Sequence, residues 1–233
     1  ELLAAQSVEV NVTVSEGDSR NLAARVSGIR TAVVPNGVDV EYFSPGSESE
    51  TPSFIYTGGM NMFANRDAVL HFASAVWPRI TSSRPDASFY AVGQNPPPEL
   101  LDLARRDCRI VVTGYVPDIR PLVRQASVYV VPLRVGGGTR LKVLDAMAMG
   151  KAVVTTSIGC EGLDVSNGEN VLVADAPEAF ARSALDLLAD PERRHALGAG
   201  GRALVERRYA WAIVCRALRD AYRTAIAARK EQA

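Results

Sequence analysis

Short runs rich in valine, apolar at nearly every position rather than at alternate ones, recur along this chain with helix-spaced segments between them. A strand with one wet face alternates polar and apolar residues, whereas a strand covered on both faces must be apolar throughout. The pattern therefore predicts an α/β fold, a doubly wound parallel sheet of the Rossmann-like kind wrapped by helices. Strands are expected over residues 10–14, 31–34, 53–57, 88–92, 110–113, 127–131, 152–155 and 171–174. Helices are expected over 66–81, 99–107, 119–124 and 140–149, and after Asp175 the pattern is helical throughout, over 177–188, 191–209 and 211–228.

A length of 233 residues suits one full α/β domain plus a fragment. Residues 44–51 form a polar run with Pro45 and Gly46 and no periodicity, which reads as an interdomain linker. The expected division is a remnant of an amino-terminal domain at 1–43, the linker at 44–51, a ligand-binding domain at 52–208 and a carboxyl-terminal helix at 209–233. The first residue is Glu1 and not methionine, which agrees with a fragment of a longer chain.

Charge excludes some functions. Lysine and arginine number 26 and aspartate and glutamate 26, so no global field draws the chain to nucleic acid. Cys108, Cys160 and Cys215 lie far apart and lack the pairing of a zinc site or disulfide framework; they read as reduced, cytosolic thiols. No metal site is expected and no cofactor. No run reaches the roughly 20 apolar residues of a membrane span, and the first residues lack the basic flank of a signal peptide. The expected location is the cytoplasm, with the inner face of the membrane kept open.

The most informative stretch runs from Val130 to Gly150, where a strand enters three consecutive glycines, Gly136, Gly137 and Gly138, followed by Thr139, Arg140, Leu141 and Lys142 at the start of a helix. Glycines there let backbone approach a ligand, and the unpaired N–H groups and positive dipole end of a helix suit a phosphate. Cations in a first helical turn oppose the dipole, so an anionic ligand would account for them. Asp145, further along the same helix, is placed to accept hydrogen bonds from a ribose diol. A tight turn followed by a solvated helix face is the competing explanation. Neither the dinucleotide fingerprint nor the P-loop spacing is present.

Several segments occur in a familiar order: the run 34–43 with Pro35, Asn36 and Gly37; the strand 54–60 ending on Gly58 and Gly59; Gly114, Tyr115 and Val116 after Thr113; and the run 144–154 from Leu144 and Asp145. In these the chain resembles family 4 glycosyltransferases, retaining enzymes of the GT-B fold, over nearly its whole length. The resemblance implies the donor-binding half of a GT-B enzyme. Its substrate would be a nucleoside diphosphate sugar, and its reaction transfer of a hexose to a glycan or lipid-linked acceptor with retention, as in polysaccharide biosynthesis. It implies diphosphate contacts from Gly58, Gly59, the glycine turn, Arg140 and Lys142, base contacts from Gly114, Tyr115 and Val116, and ribose contacts from Asp145. Arg66 is the nearest cation after the first strand and takes a phosphate role on the same grounds. Family members carry a pair of glutamates, one near the donor sugar and one on the ribose. Here Asp145 stands at the second position, Gly137 at the first, and no acidic residue lies between Asp118 and Asp145. Catalytic residues are unassigned, since the resemblance puts them in the amino-terminal domain.

His71 and His195 lack partners at metal-ligand spacing and read as structural. Phe72, Trp77 and Met147 read as core. Asp18, Asp39 and Glu161 are turn carboxylates that nothing in the sequence brings together. The last helix carries Arg216, Arg219, Arg223, Arg229 and Lys230, a solvated face or a contact with an anionic bilayer. A non-catalytic nucleotide-sugar-binding module and a sugar-nucleotide epimerase of the same plan remain alternatives.

Overall fold

A computed structural model describes residues 2–231. The chain begins with α1 (Leu2–Ala5), β1 (Asn11–Thr13), α2 (Glu16–Arg25) and β2 (Thr31–Val33), in which the two strands form a small parallel sheet of their own. The larger sheet contains β3 (Thr51–Thr57), β4 (Ser88–Val92), β5 (Ile110–Gly114), β6 (Ala126–Val131), β7 (Ala152–Thr155) and β8 (Leu172–Val173). Its order is β5-β4-β3-β6-β7-β8 and every pairing is parallel. Winding reverses between β3 and β6, and open sheets of this kind leave a ligand crevice outside the carboxyl ends of the strands at that point. All residues of β6 and β7 are buried, as uninterrupted apolar runs require.

The helices between and after these strands are α3 (Phe63–His71), α4 (Trp77–Ser83), α5 (Pro98–Arg106), α6 (Arg120–Gln125), α7 (Leu141–Ala148), α8 (Pro177–Ala189), α9 (Pro191–Arg208) and α10 (Trp211–Glu231). The helix expected over 66–81 starts earlier and is not continuous, because a π-helical turn, Phe72–Val76, separates α3 from α4. Pro78 has no N–H for the carbonyl four residues back and its ring crowds that carbonyl, so the wider turn accommodates it. Phe54, Phe72, Trp77, Phe89 and Phe180 pack together here, with Phe72 and Phe89 centroids 4.4 Å apart. Phe72, Trp77 and Met147 are core, as expected.

Helix α2 was not evident from periodicity because it has no buried residue. It is set by its cap: Ser15 Oγ accepts from the Asp18 N–H at 3.1 Å and donates to the Asp18 carboxylate at 2.7 Å. Helix α10 packs its Val214 and Ala221 on Val34 and Ala32, and the Val38 N–H donates to the Tyr209 carbonyl at 2.8 Å. The first segment is thus stapled to the end of the chain.

Residues 44–50 have no regular structure, yet they are not a loose tether. Arg124 donates to the Ser44 carbonyl at 3.2 Å and pairs with Glu48 at 3.3 Å. Glu50 bridges buried Lys151 and buried Arg194, the latter at 2.7 Å. Thr51 already belongs to β3. Helix α9, despite Gly198, Gly200 and Gly201, is continuous, and those glycines permit its close seat: a Cβ added at Gly198 would stand 2.1 Å from the Gly150 carbonyl oxygen, and at Gly200, 2.3 Å from that of Glu169.

Candidate functional site

The carboxyl ends of β3, β4 and β5 meet through glycines. The Gly58 N–H donates to Val92 O at 2.9 Å and the Gly93 N–H to Gly114 O at 3.1 Å. A Cβ on Gly93 would lie 2.0 Å from the Gly58 carbonyl oxygen, with φ at +156°, so that position excludes side chains on two grounds. Sequence reasoning missed Gly93; its place directly after the apolar run of β4 is the signal that could have found it. A Cβ on Gly58 would stand 2.7 Å from Lys142 Nζ, so the end of β3 and the first turn of α7 converge on one point.

The glycine turn enters α7 as the sequence leads one to expect, but its two cations diverge. Arg140 is the N-cap residue and is buried. Its guanidinium folds beneath the turn and donates to the carbonyls of Gly136, Gly137 and Ile158, each at 2.9 Å. Those carbonyls would otherwise face inward unpaired, so Arg140 serves the loop itself. Lys142 takes the other direction. Its ammonium donates to Tyr56 Oη at 2.6 Å and Asn65 Oδ1 at 2.8 Å and lies 4.1 Å from the centre of the Tyr56 ring. Burial, reinforced by the charge of Arg140, pulls its pKa down to about 7.

Asp145 occupies the same helix one turn on. Burial pushes its carboxyl up to about 7, and no cation or donor offsets the shift. Lys142 and Asp145 are thus partly desolvated groups on one helix, Lys142 held by neutral partners and Asp145 by none. Thr139 Oγ1 accepts from Asn36 Nδ2 at 2.6 Å, which ties the turn to the Pro35–Gly37 segment. Cβ atoms on Gly137 and Gly138 would meet nothing within 4 Å, and Leu141 is exposed.

At the end of β5, Gly114 has φ +68° and open space beside it, Tyr115 is exposed, and Val116 packs on the core. The Gly59 carbonyl accepts from Asn65 Nδ2 at 2.8 Å, making Asn65 a connector between both glycine turns that sequence reasoning missed. Arg66 is not beside the glycines: its guanidinium pairs on the surface with Glu99 at 2.7 Å. The helix starts at Phe63, which sets Arg66 toward α5, and the cation at Gly58 is Lys142. Of the three turn carboxylates, Asp39 caps the N–H groups of Glu41 and Tyr42, whereas Asp18 and Glu161 line one cavity, a juxtaposition that only the tertiary fold creates. His71 and His195 join no group of three metal-ligating side chains among the described residues.

Residues 51–190 match the family described as Glycosyl transferases group 1. The chain belongs to that family. Among its relatives, the lipopolysaccharide core biosynthesis mannosyltransferase LpcC of Rhizobium leguminosarum bv. viciae is 28% identical over 177 residues, 68% of this chain and 50% of the relative. Phosphatidyl-myo-inositol mannosyltransferase of Mycobacterium tuberculosis is 28% identical over 204 residues, 82% of this chain and 53% of the relative. The chain therefore spans about half the length of the curated relatives it matches. Its fold is similar to that of TarM, with TM-score 0.80 at 12% identity over 95% of this chain and 45% of that one. It is also similar to sucrose-phosphate synthase from Thermosynechococcus elongatus, with TM-score 0.77 at 22% identity over 97% of this chain and 62% of that one. Anabaena HepE in complex with UDP and glucose gives TM-score 0.74 at 14% identity, over 94% of this chain and 64% of that one. These likenesses identify the fold as a Rossmann-like half of the GT-B architecture. No helix among the described residues is long and apolar enough to cross a membrane.

Proposed function

We propose that this chain is the donor-binding half of a family 4, retaining glycosyltransferase that moves a hexose from a nucleoside diphosphate sugar to a glycan or lipid-linked acceptor. The observation that carries the reading is the pairing, near the sheet's winding reversal, of an open glycine turn with a half-buried lysine and a half-buried aspartate that lack counter-charges. A nucleoside diphosphate supplies what each lacks: phosphate oxygens for Lys142 and the N–H groups of the turn, and ribose hydroxyls for Asp145. The opening beside Gly114 and Tyr115 would receive the base.

In transfer, the bond from the sugar's C1 to the diphosphate oxygen breaks and the acceptor hydroxyl oxygen bonds C1 on the same face. The acceptor's proton leaves on the diphosphate. Lys142 and the turn stabilise the charge that develops on the leaving group, an electrostatic contribution more than an acid-base one. In this reading residues 1–43 belong to an amino-terminal domain, 44–51 join it to the donor domain of 52–208, and 209–233 cross back. The mannosyltransferase names of the relatives, one of them GDP-mannose-dependent, make GDP-mannose the first donor to assay.

The test is calorimetric titration of UDP, GDP and inorganic pyrophosphate, with and without chelator. Binding is expected without added metal. Asp145→Ala should weaken the better nucleotide by about tenfold or more and leave pyrophosphate, which has no ribose, nearly unchanged. Equal nucleotide affinity in variant and wild type would refute the ribose assignment, and loss of binding with chelator would refute the metal-free one.

A further inference from the structure

The glycine turn separates two cavities of similar size. One, of about 240 Å³, holds Lys142 and Asn65; the other, of about 230 Å³, holds Glu161 and faces Ser15 and Asn21 of the first segment. Gly137 and Thr139 line both. At Gly137 the border carries no side chain, and even an added Cβ would meet nothing within 4 Å.

The second cavity has no cation that would hold a phosphate. Its groups are hydroxyls, an amide, glycine backbone and two carboxylates, a wall that suits a neutral ligand carrying several hydroxyls. The two carboxylates are not equivalent. Asp18 already accepts the Ser15 hydroxyl at 2.7 Å within the cap of α2. Among the described residues the Glu161 side chain has Arg140 Nη2, at 3.4 Å, as its one polar partner, a contact longer than a charge-assisted bond, and it is 67% exposed. Arg140 also holds the Ile158 carbonyl and the carbonyls of Gly136 and Gly137, so one buried guanidinium fixes the backbone that carries Glu161 relative to the turn that borders the phosphates.

We infer that Glu161 is a specificity-determining residue of the donor site, its carboxylate accepting hydrogen bonds from hydroxyls of the transferred sugar. The inference rests on the donor-site reading above. It supplies a sugar-facing carboxylate from the loop after β7, in a chain whose glycine turn carries none.

The experiment titrates UDP, GDP, UDP-glucose, GDP-mannose and GDP-glucose into the wild-type chain and into Glu161→Gln, which keeps size and loses charge. Affinity for the bare diphosphates should stay within about twofold, while the preferred nucleotide sugar should weaken by about tenfold or more, the value of one charged hydrogen bond. The preference between GDP-mannose and GDP-glucose should narrow in the same variant. An equal loss for diphosphate and nucleotide sugar would make Glu161 a prop for Arg140 and overturn the proposal. Unchanged nucleotide-sugar affinity would overturn it too, and if Asp145→Ala still weakened nucleotide binding by about tenfold, the donor-site reading would survive alone. Failure of the wild type to bind any of the five probes would bring down both.

Discussion

Two sets of buried and half-buried charges lie in this molecule, and they are built on opposite plans. Around Glu50, Lys151 and Arg194 complete one another: the carboxylate receives both cations, Lys151 also donates to the Arg124 carbonyl at 3.2 Å, and Arg194 donates to that of Leu187 at 2.8 Å. Burial alone would raise the Glu50 carboxyl, but the hydrogen bonds and charges of Lys151 and Arg194 outweigh it and hold the group below its ordinary value. Around α7, Lys142 has neutral partners only and Asp145 has burial without compensation. A cluster that satisfies itself is architecture, here fastening the segment before β3 to α9. A cluster left incomplete is a site whose missing partners come from outside.

The contrast can be broken most directly at Glu50. Glu50→Ala strands two buried cations and should lower unfolding free energy by about 3–5 kcal/mol in urea titrations, while the folded protein keeps its nucleotide affinity within about twofold. A parallel loss of nucleotide binding would erase the distinction. Lys142→Met should act in the reverse sense, weakening UDP or GDP by about tenfold or more while raising unfolding free energy by about 0.5–2 kcal/mol, because a desolvated amine without a counter-charge is removed. Destabilisation by this substitution would mean that Lys142 is structural after all.

A pH series sharpens the comparison further. Lys142 must be protonated to meet phosphate and loses its proton as pH rises through about 7; Asp145 must be ionised to accept ribose hydroxyls and gains a proton as pH falls through about 7. Nucleotide affinity should therefore peak near neutrality, with proton uptake on binding above that pH and proton release below it, read from binding heats in buffers of different ionisation enthalpy. Lys142→Arg should remove the alkaline limb alone. The smallest effect is expected at Arg66, whose exposed pairing with Glu99 makes Arg66→Ala change nucleotide affinity by less than about twofold.

Much of the frame was legible in the sequence for a simple reason: doubly covered strands must be apolar throughout, and each of the eight expected strands is present with ends shifted by at most two residues. The strand-to-helix glycines were legible as well, since few residues other than glycine suit such turns. What escaped depends on partners distant in the chain. Glu50 and Arg194 are separated by 144 positions, and no local pattern announces that a polar run will be fastened by them. The inward turn of Arg140 is invisible until the Ile158 carbonyl arrives beneath it. The π-helical turn had a local signal in Pro78, and α2 had one in Ser15 and Asp18, but neither alters hydrophobic periodicity.

The glycines of α9 bear on the order of events in folding. Three glycines in one helix each cost about 1 kcal/mol relative to alanine, so this segment has little tendency to coil on its own. What holds it is contact with backbone at Gly150 and Glu169, which flank β7 and β8 and exist as a surface only once those strands have formed. Helix α9 is therefore expected to arrive late, condensing onto a finished sheet and closing the rear of α7 after its glycine turn is already in place. Substitutions on its exposed side should speed unfolding and leave the refolding rate almost untouched.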